Sequence, residues 1–204
     1  KIATYTKLSI AEIESIEKCD GIFNVHTPGW TYEAEKLILA TGSKAAPATG
    51  SDGSGYVLAK SFGHTVIEPY PALVQLLSKE KCLNALAGLR IDARAILFAD
   101  EKPVISNRGE VQLNANNISG IPVFQISAEA AKAMANGAKC HVVLDLLPDF
   151  SEELLISYMK QRISTGGYKS AVNFLTGLFA KKLSEVLCER CKFSKKLTAE
   201  KFGE

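Results

Sequence analysis

The chain has 204 residues, of which 47% are hydrophobic and 23% charged, with a formal net charge of +2. That length suffices for one large domain or two small ones with a proper core, and that composition is ordinary for a globular protein rather than a disordered one. No apolar run approaches the ~20 residues of a membrane-spanning helix, and Lys and Arg are dispersed, so neither a membrane nor a nucleic-acid partner is expected.

From Lys181 onward seven Lys/Arg (181, 182, 190, 192, 195, 196, 201) face four Glu (185, 189, 200, 204), a bias read as a solvated helix face and tail. Five cysteines without regular spacing argue against a disulfide framework and for a reducing compartment, the cytoplasm. Cys188 and Cys191 form a C-x-x-C at the end of a helical pattern, with no second pair to complete a four-ligand site. No metal is expected.

The chain opens in "KIATYTKLSI", already strand-like, and does not start with Met. It is read as an excised piece of a longer protein. "ATYTKLSIAEIESI" alternates apolar and polar residues; "GIFNVHTP" follows after an Asp20-Gly21 turn signal. "GWTYEAEKLILATG" predicts a third strand whose end, "KLILA", is apolar without alternation, as in a strand covered on both faces. An antiparallel meander beside a parallel strand is expected. "SGYVLAKSFGH" predicts a three-turn helix capped by Asp52 or Ser54 and stopped by Gly63, and "HTVIEPYPAL" a short strand before Pro69 and Pro71.

From about Tyr70 the pattern turns β-rich. "LAGLRIDARAILFADEKP" alternates cleanly; Glu110–Leu113 reads as a strand, followed by an Asn-rich loop and a turn at Gly120-Ile121-Pro122. "AEAAKAMANGAK" predicts a helix ended by Gly137, and "CHVVLDLLP" another strand. Short strands with turn signals between them favour a small barrel or sandwich. A helix capped by Asp149 or Ser151, with Glu152 and Glu153 at its positive end, follows; after Gly166-Gly167 the helical pattern continues through "SAVNFLTGLFAKKLSEVLCER". The fold class is α+β.

"TGSDGSG" places Gly50, Gly53 and Gly55 around a helix start, where free N–H groups and the helix dipole favour an anion. The spacing is G-x-x-G-x-G, neither a Walker loop nor the dinucleotide fingerprint, and Asp52 puts a carboxylate where a phosphate would sit. A tight turn with a capped helix is the plain alternative.

The longer segment "EKLILATGSKAAPATGSDGSGYVLAKSFGHTVIEPYPALVQL" resembles a family of NAD(P)/FAD-dependent oxidoreductases that includes the bile-acid reductase BaiN and aminoacetone oxidases. The family pattern stands here as Ala40-Thr41-Gly42-Ser43, Pro47-Ala48-Thr49-Gly50-Ser51-Asp52-Gly53-Ser54-Gly55-Tyr56, Phe62-Gly63-His64 and Pro71-Ala72-Leu73. "GEVQLNANNISGIPVFQIS", "DLLPDFS" and "FLTGLFAKKL" also match, so the resemblance covers nearly the whole chain. Ser43 departs from the family's second Gly, and Ile121 stands between Gly120 and Pro122.

The resemblance implies a partial FAD-binding α/β domain over 1–68, an inserted β-barrel-like domain over 69–148 and its helical part over 149–204. It implies FAD as cofactor of the full-length protein, NAD(P)H as reductant, a small-molecule substrate, and a cofactor edge formed by Ala40, Thr41, Gly42 and Ser43, with Ile10 meeting adenine through its backbone. The dinucleotide fingerprint that grips pyrophosphate does not occur in the 204 residues, so little FAD affinity, and no activity, is expected of the isolated piece.

Catalytic residues are not assigned, since hydride transfer is the flavin's own chemistry. His64 reads as a helix-end residue, His26 as a surface residue, and His141 as lacking an obvious carboxylate partner; Tyr56 and Tyr70 are candidates to face a cleft. A stand-alone phosphate-binding module and a non-catalytic interaction domain remain the alternatives.

Overall fold

Three short strands open the described part of the chain: β1 (Ser15–Cys19), β2 (Ile22–Thr27) and β3 (Trp30–Ala34), an antiparallel meander in that order. The computed structural model describes residues 6–194 and 197–201. The β1–β2 turn sits at Asp20 and Gly21, with φ of 50° and 87°, the left-handed pair that matches strand twist and that Asp-Gly adopts readily.

Beyond the meander the sequence expectations need correction. The first strand begins only at Ser15, residues 6–14 having no regular structure, and the expected strand over 64–69 does not form. The "KLILA" segment pairs with no strand among the described residues, and Ile38 is 89% exposed. A strand buried on both faces takes its hydrogen bonds and its cover from neighbours, and the meander ends at β3 without providing them. Helix α1 (Ser54–Ser61) follows as expected. The Asp52 carboxylate accepts the Ser54 N–H at 2.8 Å, and Gly63, at φ 80°, ends the helix by donating to the Lys60 carbonyl.

The chain divides into two compact units, Lys1–Pro69 and Tyr70–Glu204. The second is built on an antiparallel sheet of order β4-β7-β6-β5-β8, from β4 (Leu76–Leu77), β5 (Leu89–Ala99), β6 (Lys102–Leu113), β7 (Asn117–Ser119) and β8 (Cys140–Asp145). Strand β5 alternates as its sequence demands. Ala93, Ala95 and Leu97 are wholly buried on one face, while Arg90, Asp92 and Arg94 are exposed on the other.

Strand β6 is three times longer than the expected Glu110–Leu113, because it pairs with β5 along its whole length. The Asn-rich loop contains β7. On the polar face, Arg108 bridges Asp92 and Asp149 at 2.5–2.7 Å.

One face of the sheet is covered by α3 (Ile121–Ala135), whose Val123, Ile126, Ser127 and Ala130 are buried. This helix starts two residues before Val123, at the place expected to be a turn: Pro at its start needs no N–H partner, and Gly120 supplies the bend. Short helix α2 (Leu83–Leu86) and α6 (Lys181–Arg190) share a core with Ala93, Val111, Leu113 and Val123. Burying Leu97 alone stabilises by roughly 1.5–3 kcal/mol.

The helical pattern after Gly167 is interrupted. It gives α5 (Ala171–Phe174), then a turn through Gly177, then α6. Before them α4 (Glu152–Gly166) is capped by Ser151, whose hydroxyl accepts the Leu154 N–H at 3.3 Å, so of the two expected cap residues Ser151 takes the role and Asp149 serves Arg108 instead. Arg162 ties α4 to α5, donating to the carbonyls of Phe174 (2.6 Å) and Thr176 (3.1 Å). The α+β class expected from sequence holds, with one antiparallel sheet in each unit and most of the helical residues in the second.

Candidate functional site

The candidate residues sit where the extended run Leu37–Ala40 turns into the glycine loop. Gly42 has φ +78°, a conformation that favours glycine. A Cβ there would lie 2.5 Å from the Ser51 hydroxyl oxygen. That hydroxyl donates to the carbonyls of Thr41 and Ser43, so it holds the bend from one side.

Gly55, in the first turn of α1, is buried against Thr41, whose hydroxyl oxygen would overlap any Cβ at position 55; Leu39 lies just beyond. The glycine therefore lets the helix start come down on the strand-like segment. Gly53 plays the same part for the Lys44 stem, which would meet a Cβ at 2.7–2.9 Å. Between Lys44, Asp52, Tyr56, Lys60 and Glu68 runs a cleft of about 280 Å³.

Ala40, Thr41, Gly42 and Ser43 are all exposed, and the structure brings Thr41, Gly42 and Ser43 together around Ser51. Ile10 takes no part in that cluster: its side chain is 96% exposed in a segment without regular structure. The role of Ser51 was not visible in sequence, where a serine in a glycine loop carries no signal beyond turn chemistry.

The anion position at the start of α1 is filled by the protein itself. Asp52 accepts the Ser54 N–H, and that hydrogen bond holds its carboxyl below the usual carboxylate range. An exposed run of small residues next to an apolar segment fits the edge of a flat ring system. A phosphate cradle is not among the described residues, so the fit extends to the ring of a flavin dinucleotide and not to its pyrophosphate.

His26 Nδ1 lies 3.0 Å from the Thr31 hydroxyl. His141, expected to lack a carboxylate partner, has Glu101 at 3.9 Å and stacks on Phe98 with ring centroids 5.0 Å apart; β5–β8 pairing and the β5–β6 turn bring those residues together. Among the described residues no group of three or more His, Cys, Asp or Glu is placed to hold a metal. Cys188 is buried and its thiol is pushed up by that burial, while Cys191 is exposed. Among the described residues no helix is long and apolar enough to cross a membrane.

Residues 70–203 match the family described as the HI0933-like protein barrel and H2TH domain. The chain belongs to this family. Its relatives include the 3-dehydro-bile acid delta(4,6)-reductase of Clostridium scindens, 37% identical over 93% of this chain and 46% of that protein. They also include the ribosomal RNA dihydrouridine synthases of Haemophilus influenzae, 30% identical over 93% of the chain and 44% of that protein, and of Escherichia coli, 27% identical over 87% and 42%. The chain thus spans a little under half the length of the curated relatives it matches. The family match and the bile-acid reductase relative support a BaiN-like flavoprotein family.

Proposed function

We propose that this chain is part of a flavin-dependent oxidoreductase that reduces a carbon–carbon double bond conjugated to a carbonyl. The observation that carries this reading is the Thr41–Gly42–Ser43 bend, exposed at the end of an apolar run and held open from behind by Ser51. Small exposed residues past the end of such a run suit close approach of a ring, and the Cβ that Gly42 lacks would strike Ser51, so the glycine is what allows the bend that presents them.

Two further features support it. Ile10 and Ile38 are almost fully exposed in segments without regular structure, apolar surface that a neighbouring strand would cover. The relatives' names also share a chemistry: a delta(4,6)-reductase acts on double bonds in a 3-oxo steroid, and dihydrouridine is uridine with its C5=C6 bond saturated.

FAD, once reduced by NAD(P)H, would supply the hydride. Ala40, Thr41, Gly42 and Ser43 would border its ring, and Ile10 would meet the adenine through its backbone. The protein's contribution is position and exclusion of water. NAD(P)H is the proposed reductant and the cytoplasm the proposed compartment, in keeping with five free thiols. The 204 residues alone hold FAD weakly and are inactive in this reading, because the pyrophosphate grip lies in other polypeptide.

The test uses the complete product of the gene. It should purify yellow, with flavin absorbance, and Gly42→Val should lose most of that colour while the helical circular dichroism stays. An intact product that is colourless and takes up no added FAD, or a Gly42→Val protein with full flavin occupancy, refutes the reading.

A further inference from the structure

The two edges of the five-stranded sheet differ. At one end β4 is two residues long, too short to offer a further strand a ladder. At the other, the six residues of β8 run in unbroken register along β5, and among the described residues no strand pairs with the far side. Native proteins guard an open edge of that length with a Lys, a Pro or a bulge. The sequence "CHVVLD" has none of these.

Burial points the same way. Alternation places Cys140, Val142 and Leu144 on the core face of β8 and His141, Val143 and Asp145 on the other. On β5 the core-face residues Ala93, Ala95 and Leu97 are wholly buried, whereas Val142 and Leu144 on β8 are only half-buried. Val143, on the opposite face, is 43% exposed. Apolar side chains are therefore left uncovered on both faces of one open strand.

That strand is complementary to itself. Directly opposed residues of an antiparallel pair lie on the same face, so when a strand meets its own copy the centre of symmetry falls on a residue. Centred on Val143, the register sets Val143 against its copy, Val142 against Leu144, and the His141 imidazole against the Asp145 carboxylate, a donor against an acceptor twice over. Both polar side chains are anchored within their own chain: His141 stacks on Phe98, and Asp145 accepts the Leu147 N–H at 3.1 Å. Centring on Val142 instead sets His141 against Val143 and Asp145 against Lys139, whose N–H and carbonyl are both engaged by Asp100.

We propose that β8 pairs antiparallel with β8 of a second copy of this protein, about a two-fold axis at Val143, and joins the two sheets into one. Each sheet has one such edge, so the contact closes on a dimer and goes no further.

The test uses the complete product of the gene. Gel filtration with light scattering should give twice the mass of one chain at micromolar concentration. Val143→Lys sets two ammonium groups face to face on the axis and should halve that mass, with the helical circular dichroism unchanged. His141→Asp, which opposes carboxylate to carboxylate, should raise the dimer dissociation constant several-fold. Because Val143 meets itself, Val143→Cys should crosslink chain to chain through a short bis-maleimide, above the level of the parent. Ser106→Cys, on the same face but two strands further from the axis, should not.

Should Val143→Lys lose its helical signal, His141→Asp and the crosslink carry the test. A monomeric parent, a folded Val143→Lys protein that stays dimeric, or a Val143→Cys protein that crosslinks no more than the parent overturns the proposal. Mass and crosslinking are read without reference to flavin, so this result and the colour of the intact product stand or fall separately.

Discussion

Gly120→Ala probes the joint between the sheet and helix α3. Gly120 has φ 106° and ψ 166°, a region populated essentially by glycine alone, and forcing another residue there costs on the order of 1–3 kcal/mol. The added Cβ would also overlap the Glu110 carbonyl oxygen and lie 3.2 Å from its carbon and 3.3 Å from Val111 Cα. These are backbone atoms of the central strand β6, which cannot swing aside as a side chain can. The two effects together predict a loss of about 3 kcal/mol or more.

Gly137→Ala is the matched control. It too has positive φ, 84°, but nothing lies within 4 Å of its added Cβ. There the left-handed penalty is about 1–2 kcal/mol, and the gain of about 0.4–1 kcal/mol from the stiffer unfolded chain is common to both variants and cancels. The two variants should differ by at least about 1 kcal/mol, or roughly 4 °C in melting temperature for a unit of this size.

Urea unfolding followed by far-ultraviolet circular dichroism reads the second unit preferentially, because α3, α4 and α6 hold 15, 15 and 10 residues against 8 in α1. Fluorescence of the single tryptophan, Trp30, reports the first unit. Equal losses for the two variants would refute the steric argument and leave backbone conformation as the whole effect.

Arg162→Lys replaces a planar fork that reaches two carbonyls with a single ammonium; a loss of about 2 kcal/mol is expected from charged hydrogen bonds of this kind, with faster hydrogen exchange in α5. Full stability in urea would count against Arg162 as the tie between α4 and α5. Asp149 is held below the usual carboxylate range chiefly by its hydrogen bonds with Arg108. A lowered folded pKa means its contribution is complete above the unfolded value of about 4 and is lost as pH falls through the folded one. Asp149→Asn should therefore flatten the acid limb of the stability–pH curve below about pH 4, and an unchanged limb in denaturant titrations would exclude the pair as a contributor.

Local signals were legible without any structure. The Asp20-Gly21 turn, the strict alternation through Ala93, Ala95 and Leu97, the Ser151 cap and the Gly63 stop are each decided within a few residues by conformation and hydrogen bonding. Of the expected cofactor edge, sequence marked the bend at Thr41, Gly42 and Ser43 but not Ser51, whose hydroxyl bonds to its carbonyls. Ile10 joins them only in the family resemblance.

What tertiary structure decided is which segments find partners. "KLILA" has the composition of a buried strand, yet Ile38 faces solvent because no described strand lies alongside. The polar "SNRGE" of β6 has little strand character, yet it is strand throughout, because β5 stands beside it and supplies hydrogen bonds residue by residue. His141 meets Glu101, and Arg108 meets Asp149, across separations that no local pattern encodes. A residue's own chemistry fixes what its backbone tolerates; whether its hydrogen bonds and apolar surface are satisfied depends on what folds up against it.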